Sequence, residues 1–377
     1  LEFVISVGAG LNQVPFIERL VKKGYKVIAF DLDQDAPGKK LCYAFKAIST
    51  WNYDEAIQWL VDLGLKYIGV GSFSYGKALV TEKKIANYFN LLGELGTDTY
   101  SINLNKNEQQ KKLFEFGFNK YKSYLPHEIE SLEEINSFIV KPLVGGSSEG
   151  IQLLSKQQLL DSNIDVHEVV IEPFLEGEEL RVSSIIQNGS TKATFVMKRE
   201  NLKDTFCIGR QQPADEYNAN INKLINRLIS TFSIRNSALK LDIIATTEGL
   251  EIVEIDFGIA GDRFETHLSW DFFEYNYIDN YINLIVGKEV EQRLYSTSPK
   301  VFSDHIYNLS DGFLTYHEET IHIYLRSMLD EYKLIRANNK VLIPYPKSNM
   351  DSYLIVIHKN KNLSNLELNE HSTKLLT

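Results

Sequence analysis

The sequence predicts a multidomain protein of mixed α/β and α+β class: an open parallel α/β domain, then a region rich in antiparallel strands. Three observations lead there. The first thirty residues alternate strand, helix and strand; a Gly/Ser loop at 145–150 directly follows an apolar strand; and Leu239–Gly258 reads as a hairpin with Asp242, Glu254 and Asp256 on one face.

The 377 residues, 44% of them hydrophobic, leave room for two or three domains with real cores. A net charge of −10 argues against a duplex nucleic-acid partner, which needs a basic face, and favours small-molecule substrates. Cys42 and Cys207 are the only cysteines, so no disulfide framework is expected and a reducing compartment fits. No apolar run approaches the roughly 20 residues that cross a bilayer, and no charged segment precedes an apolar core at the N-terminus. A cytoplasmic protein without a membrane partner is expected, with a homodimer as the default assembly.

Phe3–Val7 reads as a buried strand, Gly8-Ala9-Gly10 as a turn, Val14–Lys23 as an amphipathic helix stopped by Gly24, and Tyr25–Phe30 as a second strand ending on Asp31. Parallel pairing through the helix is the natural assembly. Strands at Ala44–Ile48 and Tyr67–Val70, with a helix at Asp54–Asp62 between them, complete a domain ending near residue 100. Gly8-x-Gly10 ahead of a helix, with Asp31 downstream, partly fits a dinucleotide fingerprint. Gln13 fills the third glycine position, so a tight turn in a scaffold or substrate domain is the preferred reading over an NAD site.

A polar helix from Lys106 to about Gly117 comes next, with strands expected at Lys120–Tyr124 and Phe138–Lys141. Beyond the Gly/Ser loop lie Ile151–Leu154, a helix at Lys156–Leu160, and the apolar strand Val169–Ile171 entering Glu172-Pro173-Phe174-Leu175. Leu180–Gln187 and Thr194–Lys198 read as antiparallel neighbours, and a helix at Asn220–Phe232 precedes the hairpin. Helical periodicity resumes over Ser269–Val286. In the tail, Val341–Pro344 and Tyr353–His358 are the clearest strands. The expected boundaries are 1–100, 101–175, 176–290 and 291–377, the last a strand-rich part.

Alternation in the hairpin puts Leu239, Leu241 and Ile243 on one face and Lys240 and Asp242 on the other; Val253, Ile255 and Phe257 oppose Glu254 and Asp256. A three-residue turn, Thr247-Glu248-Gly249, sets Thr246 against Leu250, Asp242 against Glu254 and Lys240 against Asp256. Three carboxylates on one patch hold protons more tightly unless a cation sits between them. Oxygen-only ligands of this kind suit Mg²⁺ or Mn²⁺, although a solvated polar face would carry the same acids.

The loop Lys141-Pro142-Leu143-Val144-Gly145-Gly146-Ser147-Ser148-Glu149-Gly150 reverses the order of a Walker motif, in which the lysine follows the glycines. Lys106 opening a helix, Lys141 closing a strand before this loop, the strand into Glu172–Glu179 and the acidic hairpin together resemble the ATP-grasp superfamily. The likeness runs from residue 1 to about 290. The glycine-rich loop is most similar to that of D-alanine–D-alanine ligases. The N-terminal segment, with Gly8, Asp31 and Ala36-Pro37-Gly38, is closer to carboxylate–amine ligases that join amino acids.

The resemblance implies a pre-ATP-grasp domain followed by the two-lobed ATP-grasp fold. It also implies that Lys106 and Lys141 reach the ATP phosphates from two sides, with Gly145, Gly146, Ser147 and Ser148 in a lid closing over them. Glu172 would meet the adenine amino group, the backbone at Phe174 and Leu175 the ring edge, and Glu179, or else Glu178, the ribose. Asp242, Glu254 and Asp256 match the metal-ligand positions. Asp256 stands where the superfamily usually has Asn, and Gly258 where an Arg commonly follows. Lys240, Arg263 or Arg181 could take over the substrate-facing charge, with Lys240 assigned to transition-state charge and Arg263 to the substrate.

The reaction then expected uses ATP and Mg²⁺ (or Mn²⁺) to phosphorylate a carboxylate, after which an amine attacks to give an amide, ADP and phosphate. A non-amine acceptor, bicarbonate as the acid, or an inactive ATP-binding regulator are the alternatives. His167, His267 and His358 are scattered; His267, near the site, could orient substrate, but a surface or hydrogen-bonded core histidine is the preferred reading. Specificity is expected from loops Ser72–Lys77 and Lys198–Pro213, the latter basic through Lys198, Arg199 and Arg210.

Overall fold

In the computed structural model, residues 1–377 are described except 75, 94–104, 144, 147, 163, 166, 260–262, 294–297, 299, 313, 316–317, 337–340, 343–344, 353 and 377. Val144, Ser147, Gly261, Asp262, Ile343, Pro344 and Tyr353 therefore lie outside the described residues.

Strands β1 (Phe3–Val7), β2 (Lys26–Asp31), β3 (Ala44–Ala47) and β4 (Tyr67–Gly71) form a parallel sheet of order β3-β2-β1-β4. β1 is buried along its whole length, as its continuous apolar run requires when helices cover both faces. The helix Val14–Lys22 begins with Pro in its first turn. The Gly8–Gly10 turn is held internally: the Ala9 N–H donates to Asp31 Oδ2 at 2.8 Å, and Gln13 Nε2 donates to Phe73 O at 3.0 Å. Asp31 and Gln13 thus serve the scaffold.

A small antiparallel sheet of order β6-β5-β7 contains β5 (Ser137–Pro142), β6 (Gln152–Ser155) and β7 (Val169–Pro173). The large sheet runs β12-β11-β8-β9-β10-β13-β17-β15. It is built from β8 (Glu178–Gln187), β9 (Ser190–Asn201), β10 (Ile208–Pro213), β11 (Ser237–Ala245), β12 (Leu250–Asp256), β13 (Phe302–Ile306), β15 (Tyr332–Arg336) and β17 (Leu354–His358). A separate pair joins β14 (Leu314–Thr315) to β16 (Val341–Leu342).

Strand β12 lies at an edge, and its free backbone is covered by amide side chains. Gln109 exchanges two hydrogen bonds with Ile255 at 2.8 and 3.0 Å, Asn119 two with Ile252 at 2.8 Å each, and Gln110 donates to Val253 O at 2.8 Å. The helix Lys106–Glu115, capped by the Asn105 side chain, is polar because its inner face pairs with a strand edge. This contact fixes Lys106 beside the hairpin.

Four expectations need correction. Lys120–Tyr124 is no strand: its backbone binds the Glu251 carboxylate through the Lys120 N–H and Ile171 O through the Tyr124 N–H, but forms no continuous ladder. The expected loop Lys198–Pro213 is mostly β9 and β10, joined by 202–207. The helical stretch Ser269–Val286 is split by Glu274 in the left-handed region, with the Asn276 side chain capping Tyr277–Ile285. Finally, the hairpin turn pairs Ala245 with Leu250, one residue off the expected pairing. A bulge at Val253 restores Asp242 opposite Glu254 and Lys240 opposite Asp256.

Candidate functional site

A cavity of about 1080 Å³ opens between the small sheet and the inner face of the large one. From the small sheet come Ile139, Lys141 and Glu172; from the helix start comes Lys106; from the large sheet come Glu179, Arg199, Lys240, Asp242, Ile244, Glu254 and Asp256. Lys106 and Lys141 therefore face the hairpin acids across the cavity, with Glu172 on the lysines' side and Arg199 and Lys240 among the acids.

The acids ring one ammonium. Lys240 Nζ lies 2.5 Å from Asp242, 2.6 Å from Glu254 and 3.4 Å from Asp256, and the lysine is only 6% exposed. Register explains the convergence, because alternate positions on two paired strands bring these four side chains to one face. Burial pushes the Asp256 carboxyl up to about 6 against the pull of Lys240. Burial also works to raise Glu254, but Lys240 and then Lys106 outweigh it and hold that carboxyl well below its usual range. Among the described residues, no group of three His, Cys, Asp or Glu forms a metal-ligand set by itself. The hairpin acids instead present hard oxygen donors to a point held by a cation, a donor set that fits Mg²⁺.

Lys141, 6% exposed, pairs with Glu172 at 2.8 Å and donates to Val253 O at 3.4 Å, the carbonyl of the bulge residue. Glu172 Oε1 is buried without a hydrogen-bond partner, an acceptor left for something outside the chain. Lys106 Nζ donates to Gly145 O at 3.0 Å and to Pro142 O at 3.3 Å, gripping the root of the glycine loop. Burial lowers its affinity for its proton. In that loop Gly146, Ser148 and Glu149 line the cavity, and Ser148 sits at φ 64°. The Phe174 N–H is already given to Ser137 O at 2.9 Å, which leaves the Leu175 end of the hinge facing the cavity. Gly177 lets that hinge cross β11: a Cβ there would lie 2.4 Å from Ala245 O.

Glu178 binds Lys198 and accepts from Tyr217 Oη at 2.7 Å. Glu179 lies 3.6 Å from Arg199 and accepts from Asn201 at 3.2 Å; burial raises its pKa, with Arg199 pulling the other way. Arg199 also meets Asp242 at 3.1 Å. Arg181 is fully buried and bound to Glu265 at 2.8 Å, which removes it as a substrate-facing charge. Arg263, with φ 67°, lines the cavity just before the turn that carries Glu265. Gly258 has no space for a side chain, since a Cβ would meet Leu79 Cδ1 at 2.3 Å.

Other candidates fall away from the site. Arg210 is locked to buried Asp304 at 2.9 and 2.8 Å, beside His358 at 2.6 Å from the same carboxylate. His167 is exposed, and neither it nor His267 lines the cavity. Ser72 and Phe73 are buried anchors, and the N-terminal domain reaches the cavity through Asn12. Sequence reasoning missed Asn12, Ile139, Ile244 and a group from the C-terminal strands that includes His305 and Asn349. Nothing local marks them, because long-range pairing alone brings them in.

The ATP-grasp domain family matches residues 105–261. No curated protein matches the sequence. Among solved structures, L-amino acid ligase from Bacillus licheniformis is 17% identical with a TM-score of 0.72, covering 100% of this chain and 96% of its own. N5-carboxyaminoimidazole ribonucleotide synthetase from Thermotoga maritima is 16% identical with a TM-score of 0.71, covering 100% and 98%. N5-carboxyaminoimidazole synthetase from Staphylococcus aureus, complexed with ADP, is 15% identical with a TM-score of 0.70, covering 99% and 96%. The family match at residues 105–261 spans the helix from Lys106, the small antiparallel sheet, the glycine loop and the acidic hairpin of the large sheet, the parts that close on the cavity.

Proposed function

We propose that the protein is an ATP- and Mg²⁺-dependent ligase that activates a substrate carboxylate as an acyl phosphate and couples it to an amine, releasing ADP and phosphate. The observation that carries this reading is the opposition of Lys106 and Lys141 to the acid ring Asp242, Glu254 and Asp256 across one cavity. The solved neighbour complexed with ADP supports the nucleotide.

In this reading the orphaned Glu172 Oε1 accepts from the adenine amino group, the Leu175 backbone meets the ring edge, and Ile139 and Ile244 flank its faces. Glu179 takes the ribose hydroxyls, because Glu178 is occupied by Lys198 and Tyr217. Lys106 and Lys141 serve as point charges for phosphate oxygens, and the backbone around Gly145, Gly146 and Ser148 covers them. Asp242, Glu254 and Asp256 would hold Mg²⁺, which supplies charge neutralisation between the phosphates. Lys240 steadies those acids and meets charge developing on the transferred group. Arg263 holds the substrate carboxylate in place of a side chain at 258.

Phosphoryl transfer makes the bond from carboxylate oxygen to γ-phosphorus and breaks the bond to ADP. Amine attack then makes the C–N bond, expels phosphate and releases a proton from nitrogen. Residues 1–100, 101–175, 176–290 and 291–377 are assigned as the pre-ATP-grasp domain, the small lobe with its lid, the hairpin-bearing large lobe and its C-terminal completion. Turnover of amino-acid pairs and acidic metabolites, followed by nucleotide analysis, tests the reading: ADP and phosphate are expected, and AMP with pyrophosphate would overturn it.

A further inference from the structure

The cavity has more lining than the roles proposed above use. Its volume of about 1080 Å³ sits at the top of the roughly 300–1,000 Å³ of ordinary small-molecule pockets. The roles proposed above use the hinge, the lysines and the hairpin acids. A separate wall remains, made of Phe206, Ile208, His305, Asn349, Ser352 and Ile355. It belongs to β10, β13, β17 and the turns beside them; Phe206 and Ile208 fall in the 198–213 segment from which specificity is expected, and the rest comes from the tail.

This wall differs in character from the nucleotide end. It carries no carboxylate, lysine or arginine, and half of its residues are apolar. Burying a charged side chain against it would lack a counter-charge, whereas an apolar group loses only its contact with water. The cations on β9 and β10 beside it are already engaged, Lys198 by Glu178, Arg199 by Glu179 and Asp242, and Arg210 by Asp304. Through Arg199 the wall adjoins the acid ring, since β9 pairs directly with β10.

The wall is also tied to the lid. Asn349 Oδ1 accepts from the Ile208 N–H at 2.6 Å, and its Nδ2 donates to Ser148 Oγ at 3.1 Å. One amide thus links β10 to the glycine loop. A molecule seated on the wall and a nucleotide under the loop would share that contact.

We propose that this wall binds the second substrate, an amino acid or similar primary amine with an apolar side chain. The side chain rests on Phe206, Ile208 and Ile355, and Asn349 couples occupancy of this subsite to closure of the lid. The proposal rests on the ligase reading above and names the chemistry of its acceptor.

The test uses the full chain with ATP and Mg²⁺, offering L-phenylalanine and L-leucine against L-aspartate and L-lysine as acceptors. Wild type favours the apolar pair. Phe206→Ala raises KM for L-phenylalanine by about 10- to 100-fold, the scale of losing a hydrophobic contact in a specificity pocket, while KM for ATP stays put; Phe206→Leu falls between. Asn349→Ala removes the tightening of nucleotide binding that L-phenylalanine causes in wild type. Preference for charged acceptors, or an unchanged KM in correctly folded Phe206→Ala, overturns the proposal. If no pair releases ADP, the ligase reading fails, and the wall is judged by saturation-transfer NMR with L-phenylalanine. A signal lost in Phe206→Ala supports it, and no signal with wild type overturns it.

Discussion

Replacing Lys240 with Met removes the one cation, among the described residues, that touches all three hairpin acids while keeping most of the side-chain volume. Lys240 is 6% exposed, and its ammonium lies 2.5 to 3.4 Å from three carboxylates. Deleting one partner of such a buried ionic group costs about 3–5 kcal/mol, because the others keep their desolvation cost and lose their attraction. With an unfolding entropy of about 2.1 cal/mol/K per residue, 377 residues give roughly 0.8 kcal/mol/K, so the midpoint should fall by about 4–6 °C without metal. Mg²⁺ at 100 times its Kd returns about 2.7 kcal/mol, or roughly 3 °C. That rise should exceed the one in wild type, where Mg²⁺ must share the acids with Lys240. Differential scanning fluorimetry with EDTA and with Mg²⁺ reads both quantities. A metal-free midpoint within 1 °C of wild type, or an equal Mg²⁺ response, would refute the idea that Lys240 is the resident counter-ion.

Other substitutions probe neighbouring parts of the account. Glu254→Gln should abolish ATP-dependent ligation while the circular-dichroism spectrum persists; full activity would reduce the hairpin to a polar face. Gly258→Ala should cost about 1–3 kcal/mol by overpacking against Leu79, and Leu79→Ala should recover part of it in a double-mutant cycle by urea denaturation. Burial, then Arg263 and Lys333, push His267 down to about 4. Its folded value lies below the unfolded value near 6.5, so its contribution is complete above that pH and is lost as pH falls toward 4. The slope is at most about 1.4 kcal/mol per pH unit. His267→Gln should flatten the stability profile in that window, and an unchanged profile would contradict the assignment.

Much of the site was legible where order along the chain encodes it. Lys141 ahead of the glycines, and acids at alternating hairpin positions, depend on local periodicity that a fold cannot easily disguise. The hairpin register came out as expected even though the turn did not, because a one-residue slip would have buried the acids and exposed the apolar face. The bulge at Val253 absorbs the difference and turns that residue's carbonyl toward Lys141.

What stayed hidden depends on contacts between distant segments. Gln109, Gln110 and Asn119 look like surface polarity until β12 proves to be an edge strand that needs covering. Strand β10 has the composition of a loop, because its polar residues, Arg210 and Gln211, are satisfied by Asp304 and His305 almost a hundred positions away. Asn349 shows its link to the glycine loop only once the tail has joined the large sheet.

The central claim is that the carboxylate itself takes the γ-phosphoryl group. Turnover with an ¹⁸O-labelled carboxylate substrate, ATP, Mg²⁺ and an apolar amino acid acceptor, followed by mass spectrometry of the released phosphate, tests it directly. One labelled oxygen should appear in inorganic phosphate alongside ADP. Label in AMP, or unlabelled phosphate with amide formed, would contradict the account.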